Sequence, residues 1–455
     1  MTDSVLATPP SSTSARGGDQ VTFGWFAVIA GPDDGRKSED LVEAVLRRRL
    51  SAMPRLRKQV KKLPFGLGLP IWVDDPSFDL SRHLHVLAVP SPADIDAART
   101  VAAQVFESPL PCDRPPWDLH LLTGMAGNQV AVVQRVHHAL ADGIASAALA
   151  LGLMDPGPPP TAVVATVNPS RRALLVDNLR WRWRTLVHAA SPLGTPQRWL
   201  RTLGALGSEL KAVGGRQRSM TSLNGPVGGT RRLQAVDVPL QLVRDIGHLA
   251  GATINDVLIA AVGGGVRAVL EARGEPTAVA MRAAVPVSLR SSDDADAVGN
   301  RTSGFVVPLH VGESDAATRL RLIAAVTRDL KQSAGRVRLM SLIDSPFLPA
   351  ALLRRYPKWM RKQNLVHLTI TNVPGPNQPL RLGGLEVLRI EPIVPLQNRV
   401  TIGVGALSYA GTLTIGICVD PAWVGEHDLL VEGIRACMDD LAGHFGLGLS
   451  PSKPV

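Results

Sequence analysis

Cysteine is nearly absent from this chain: Cys112, Cys418 and Cys437 are the three found in 455 residues. An odd number in apolar contexts predicts neither a disulfide framework nor a cysteine metal cluster, and fits a reducing compartment. Aromatic residues are scarce as well, at 4%. With no RNA-binding sheet motif and no helix-turn-helix pattern, little is left to stack on bases or read a groove, so nucleic acid is not an expected partner. No uncharged apolar run reaches about eighteen residues, and no membrane span is predicted. The opening stretch, Met1 to Gln20, is rich in Ser, Thr, Pro and Gly and lacks the basic start and apolar core of a secretory signal. Export is therefore not expected, and a cytoplasmic location is. Three catalytic signatures are missing too: the GxSxG nucleophile elbow, the P-loop and the HExxH zinc helix.

Acidic residues are in deficit, 39 Asp and Glu against 49 Lys and Arg, for a net charge of +10. Such a surplus suits an anionic partner, either a phosphorylated substrate or an anionic membrane surface. The chain is long enough for two cores. Val21–Ile29 reads as a strand closed by a Gly-Pro-Asp-Asp-Gly turn. Ser38–Leu50 has helical spacing, with Ser38 as N-cap and Leu41, Val45 and Leu46 on one face. A second helix is predicted over Asp94–Glu107. Asp155-Pro156-Gly157-Pro158-Pro159-Pro160 is the clearest boundary, since successive prolines stop both helix and sheet. The expected plan is a flexible leader (1–20), a first αβ domain (21–154), a Pro-rich and basic helical connector (155–220), a second αβ domain (221–446) and a tail (447–455). Mixed α/β elements in both halves place a cleft between them, a usual location for a site. Gly263-Gly264-Gly265 falls inside a helical apolar pattern and reads as close helix packing.

The most informative segment is Val136-His137-His138-Ala139-Leu140-Ala141-Asp142-Gly143, an HHxxxDG signature. It follows the apolar strand-like run Val130–Val136 and precedes a small-residue helix, Ile144–Ala150. The histidines thus fall on a strand-to-helix turn, where a rigid scaffold can push an imidazole into a cavity. Such a histidine is suited to general-base work, because its ordinary pKa lies near operating pH. It would take an alcohol's proton while the oxygen attacks an activated carbonyl. Adjacent side chains do not converge easily on one ion and no third ligand stands at metal spacing, so no metal is expected there. Attack on a carbonyl builds an oxyanion that needs a positioned donor. Asn255, beside Asp256 where polar residues interrupt an apolar helical run, is a candidate for oxyanion or loop stabilisation; a helix cap is its other reading. Asp142 is better placed to hold the turn than to move protons, and Arg290, ending an apolar strand, is its candidate partner.

These features in order resemble the bacterial wax ester synthase/diacylglycerol acyltransferase family of the CoA-dependent acyltransferase superfamily. That superfamily includes chloramphenicol acetyltransferase and peptide-synthetase condensation domains. Besides HHxxxDG and Asn255-Asp256, the likeness rests on Trp72-Val73-Asp74-Asp75-Pro76, Asp113-Arg114-Pro115-Pro116-Trp117, Leu223-Asn224-Gly225-Pro226-Val227-Gly228 and Gly299-Asn300-Arg301. Thr371-Asn372-Val373-Pro374-Gly375-Pro376 and Leu407-Ser408-Tyr409-Ala410-Gly411 continue it, so that it runs from roughly Leu63 to Leu441. Two departures stand out: the leader lacks the family's Ser-Pro-x-Asp opening and Phe-Leu pair, and its Pro-Leu-Trp motif is Pro115-Pro116-Trp117 here.

The resemblance implies two chloramphenicol-acetyltransferase-like αβ domains with an active-site tunnel between them. It implies His138 as general base, a structural Asp142, and the Asn-Asp motif of the second half at Asn255 and Asp256; His137 in support, and Gly143 and Arg290 holding the site, complete the expected set. No bound cofactor is implied. Long-chain acyl-CoA would be co-substrate, its acyl group passing to the hydroxyl of diacylglycerol to give triacylglycerol. A fatty alcohol giving a wax ester is the nearest alternative, and a lipid-binding or scaffolding homologue of low turnover is the alternative from another class. Trp and Tyr interleaved with Arg and Lys around Trp181–Arg184 and Arg354–Arg361 suggest peripheral contact with a membrane or lipid droplet. A solvated face with the tryptophans turned inward is the other reading.

Overall fold

The computed structural model describes residues 22–61, 71–111, 113–138, 140, 149, 151–155, 176, 180, 183, 221–288, 302–333 and 365–448. The first half supplies β1 (Thr22–Ala30), α1 (Ser38–Arg49), β2 (Lys58–Lys61), β3 (Ile71–Asp74), β4 (Leu84–Ala88), α2 (Ile95–Glu107), β5 (Trp117–Met125) and β6 (Gln129–His137). The second half opens with β7 (Arg232–Pro239), α3 (Leu240–Leu249), α4 (Ile254–Ala272), β8 (Arg282–Ser288), β9 (Thr302–Pro308) and α5 (Ala316–Ser333). It closes with β10 (Leu368–Pro374), β11 (Arg381–Leu382), β12 (Leu385–Ile393), β13 (Ile402–Tyr409), β14 (Thr412–Val419) and α6 (His427–His444).

Two six-stranded sheets carry the molecule, in the orders β11-β12-β1-β6-β5-β4 and β7-β14-β13-β10-β8-β9. The halves of the chain do not keep to their own sheets. Segment 381–393, expected within the second domain, crosses over and adds β11 and β12 to the first sheet, where β12 runs antiparallel to β1. The reason is burial: Val387 and Ile390 pack beside Trp25 and Ala27, while Ile393 joins Phe26 and Val28 on the opposite face. Strand alternation thus covers the first sheet on both sides, with α1 on one and α2 on the other. The second sheet is buried under α3 to α6 in one continuous core.

Local signals explain the element ends. Asp94 caps α2, its side chain accepting from Ala97 N–H at 2.7 Å. Ser38, the expected cap of α1, is instead its first helical residue and is buried; Lys37 holds the cap position without a side-chain bond. The buried face of α1 is Val42, Val45 and Leu46, with Leu41 at its margin. β13 and β14 join through the two-residue loop Ala410-Gly411, both at positive φ (47 and 87°), the geometry a tight hairpin requires. The glycine run in α4 marks close approach: a Cβ on Gly265 would lie 2.5 Å from the Leu430 carbonyl oxygen, and one on Gly264 2.7 Å from Cys437 Cβ. Cys418 and Cys437 are buried free thiols. Among the described residues no single helix is long and apolar enough to cross a membrane.

Candidate active site

His137 ends β6 and His138 begins the turn after it. β1 and β5 clamp β6 from both sides, with Thr22 paired to His137 and Trp117 to Val136. Backbone bonds fix the corner: His137 N–H donates to Pro116 O at 3.0 Å, and Leu140 N–H to His137 O at 2.8 Å. Arg55 donates to Leu140 O at 2.8 Å and ties the turn to the α1–β2 connection. Trp117 anchors the same connection through Leu56 O at 2.6 Å. Arg55 is a residue that the sequence did not single out.

Phe23 is a second residue that the sequence did not single out. Its ring lies 4.9 Å from the His138 ring, tilted by 51°. Phe23 also lines a cavity of about 50 Å³, partly open to solvent, between the two sheets. β1 and β12 of the first sheet wall it on one side, β10 and β13 of the second on the other. The walls are apolar almost throughout (Trp25, Met154, Val373, Ile390 and Leu407 among them), and Thr371 contributes a hydroxyl side chain. His138 itself is not among the lining residues and reaches the cavity through Phe23; an apolar pocket between the two sheets can shelter a long acyl tail from water. Burial, and then the neighbouring His138, push the His137 imidazole down to about 4, so it is neutral at physiological pH.

The Asn255-Asp256 pair opens α4, but neither residue is its N-cap. Thr253 is, in a complete capping box: Thr253 Oγ1 accepts from Asp256 N–H, and the Asp256 carboxylate accepts from Thr253 N–H at 2.8 Å. Asp256 is buried and also accepts from Thr327 of α5 at 2.7 Å, joining two helices. Asn255 does not line the cavity, and its buried Oδ1 has no hydrogen-bond partner among the described residues. Asp142, Gly143 and Arg290 lie outside the described residues, as do Trp181 and the 354–361 segment.

A buried ion network, also unforeseen, crosses between the sheets near the cavity. Arg99 of α2 grips Glu391 of β12 with two bonds of 3.0 and 2.6 Å. Arg389 bonds the same carboxylate at 2.5 Å and reaches Asp237 of β7, which accepts from Thr414 at 2.8 Å. Glu391 stands between the cavity-lining Ile390 and Pro392.

Two packed six-stranded sheets joined by a strand crossover, with a histidine turn at the end of a first-sheet strand, have the condensation and acyltransferase class of fold. A wax ester synthase/diacylglycerol acyltransferase from Marinobacter aquaeolei VT8 superposes with a TM-score of 0.66 at 19% identity, over 95% of this chain and 96% of that one. The starter condensation domain of rhizomide synthetase, solved with C8-CoA and Leu-SNAC, follows at 0.57 and 18% identity, over 93% and 90%. Residues 18–258 match the family model of the wax ester synthase/diacylglycerol acyltransferase catalytic domain, and residues 298–442 that of the WS/DGAT C-terminal domain. The chain belongs to this acyltransferase family. It is 32% identical over 426 residues (91% of this chain, 90% of the relative) to the "Probable diacyglycerol O-acyltransferase tgs1" of Mycobacterium tuberculosis.

Proposed function

We propose that this protein transfers a long-chain acyl group from acyl-CoA to the hydroxyl of diacylglycerol, giving triacylglycerol, with His138 as general base. The observation that carries the reading is the contact of His138 with Phe23, a residue that lines the apolar cavity between the two sheets. His138 takes the acceptor's hydroxyl proton as that oxygen attacks the thioester carbonyl. The tetrahedral intermediate collapses with loss of the CoA thiolate, which recovers the proton from the imidazolium. His137, neutral and next in sequence, adds no second positive charge beside that imidazolium. The net charge of +10 suits the CoA phosphates. The names of the relatives support diacylglycerol as acceptor over a fatty alcohol. At the periphery, Val176, Arg180 and Trp183 are exposed helical residues at spacings of four and three, with Trp183 70% exposed. An indole beside a guanidinium on one helical face favours contact with an anionic lipid surface.

The test is thiol release from palmitoyl-CoA by purified full-length protein against a panel of diacylglycerol, fatty alcohols and no acceptor, with products identified. Diacylglycerol-dependent release and triacylglycerol are expected. His138→Ala should lower turnover by about 10²–10⁴-fold while acyl-CoA still binds, and His137→Ala should lower it less. Release with fatty alcohols alone would reassign the acceptor, and undiminished turnover in His138→Ala would remove the base.

A further inference from the structure

A second cluster of chemistry-bearing side chains lies in the first sheet, away from the cavity. His85 on edge strand β4 and His120 on β5 are register partners across a parallel pair, and their rings stand 4.8 Å apart. Asp118 lies two residues before His120 and so on the same face of the sheet. One ligand atom from each of His85, Asp118 and His120 lies within 4.8 Å of the other two. Tetrahedral coordination at zinc–nitrogen distances would bring such atoms to about 3.4 Å from one another, a closure within reach of side-chain rotation.

His120 points to a ligand independently. It is 9% exposed, and both its ring nitrogens are buried without a hydrogen-bond partner among the described residues. Its Nε2 approaches Asp118 Oδ1 to 3.2 Å, close enough for Coulomb attraction but not aligned for a hydrogen bond. A buried imidazole whose Nδ1 has no hydrogen-bond partner among the described residues is costly, and a bound ion removes that cost.

Arg135 is the group that could oppose a cation here. It donates to both Asp118 oxygens, at 2.9 and 2.6 Å, which is how ligating carboxylates are commonly oriented from behind. Its remaining amino group turns away, to Val105 O and to Ser108 O at 2.5 Å. Those carbonyls end α2, where the helix dipole favours positive charge. His85 is partly exposed and leaves a path for the ion and for water.

We propose that His85, Asp118 and His120 bind one divalent transition-metal ion of the zinc class, with two imidazole nitrogens, one carboxylate oxygen and water as ligands. The ion ties edge strand β4 to β5, and its binding is independent of the acyl-transfer chemistry. The experiment uses tag-free full-length protein stripped with EDTA. Zn²⁺ is titrated by calorimetry, Co²⁺ by its visible absorption, and melting is followed with and without Zn²⁺. One equivalent of Zn²⁺ is expected, with a rise in Tm of a few degrees and no competition from Mg²⁺, a hard ion that prefers oxygen ligands. His85→Ala at the open edge and His120→Phe, which keeps a ring in the buried position, should both lose the binding and the Tm rise. His138→Ala should keep them. Absence of saturable Zn²⁺ binding in the parent protein, retention of it in both cluster variants, or its loss in His138→Ala would overturn the site.

Discussion

At the scale of single residues, the neighbouring histidines of the turn differ in what their surroundings ask of them. His138 meets Phe23 at the cavity, whereas His137 is pushed down to about 4 by burial first and by His138 second. A histidine whose folded pKa lies below its unfolded value of about 6.5 takes up its proton more readily when the chain unfolds. The stability this represents is therefore present above about pH 6.5 and is lost as pH falls toward 4. A shift of this size corresponds to something on the order of 3 kcal/mol. His83, likewise lowered by burial, contributes in the same direction. The urea midpoint should consequently fall between pH 6.5 and 4, and fall less steeply in His137→Gln. Equal slopes in the two proteins would show that His137 protonates as easily folded as unfolded.

At the scale of elements, the start of α4 separates two jobs that adjacent residues perform. Asp256 completes the capping box and receives Thr327 from α5, so Asp256→Ala strips the cap and the side-chain link between the two helices. A loss of about 2–4 kcal/mol is expected, read as a lowered Tm. Asn255 takes no part in the cap. Asn255→Ala should melt near the parent protein and lower kcat by about 10²–10³-fold if its amide steadies the oxyanion. A variant that melts early with kcat unchanged would make Asn255 structural. The same helix illustrates what pattern can reveal: three consecutive glycines in an apolar helical run forecast tight packing, and Leu430 and Cys437 of α6 supply it.

At the scale of the whole molecule, the two sheets are held together by charge as well as by apolar burial. Glu391, 3% exposed, receives both Arg99 and Arg389, and Arg389 continues to Asp237 on the other sheet. Neutralising the carboxylate removes one partner from each guanidinium, although Arg99 keeps Asp96 and Arg389 keeps Asp237, so the cost stays below the roughly 3–5 kcal/mol of a buried pair broken outright. Glu391→Gln should lower Tm accordingly and, because its neighbours Ile390 and Pro392 line the cavity, raise the KM for acyl-CoA. A melt and KM like those of the parent would mean that the network does not set the interface. On the outer surface, sedimentation with anionic liposomes should be strong at low salt, weaker at high salt, and reduced in Arg180→Gln with Trp183→Ala. Binding unaffected by salt and by both substitutions would exclude docking through this face.

The sequence by itself determined the histidine turn, the strands β1 and β6, the helices α1 and α2, the glycine packing in α4 and the family, because these depend on spacing within short windows. β6 is a strand because its apolar run alternates between two covered faces, and its end places His137 and His138 where the motif put them. Short windows could not distinguish Ser38 from Lys37 at the cap of α1, where burial of Ser38 settles the matter. Nor could they foresee that 381–393 would leave its own half to complete the first sheet, since that choice depends on apolar faces some 360 residues away from β1 in the chain. The cavity wall of Phe23, the Arg55 hold on the turn, the Glu391 network and the His85-Asp118-His120 cluster share that origin. Each joins residues far apart in sequence, and side chains so separated acquire common chemistry only when strand pairing and burial bring them together.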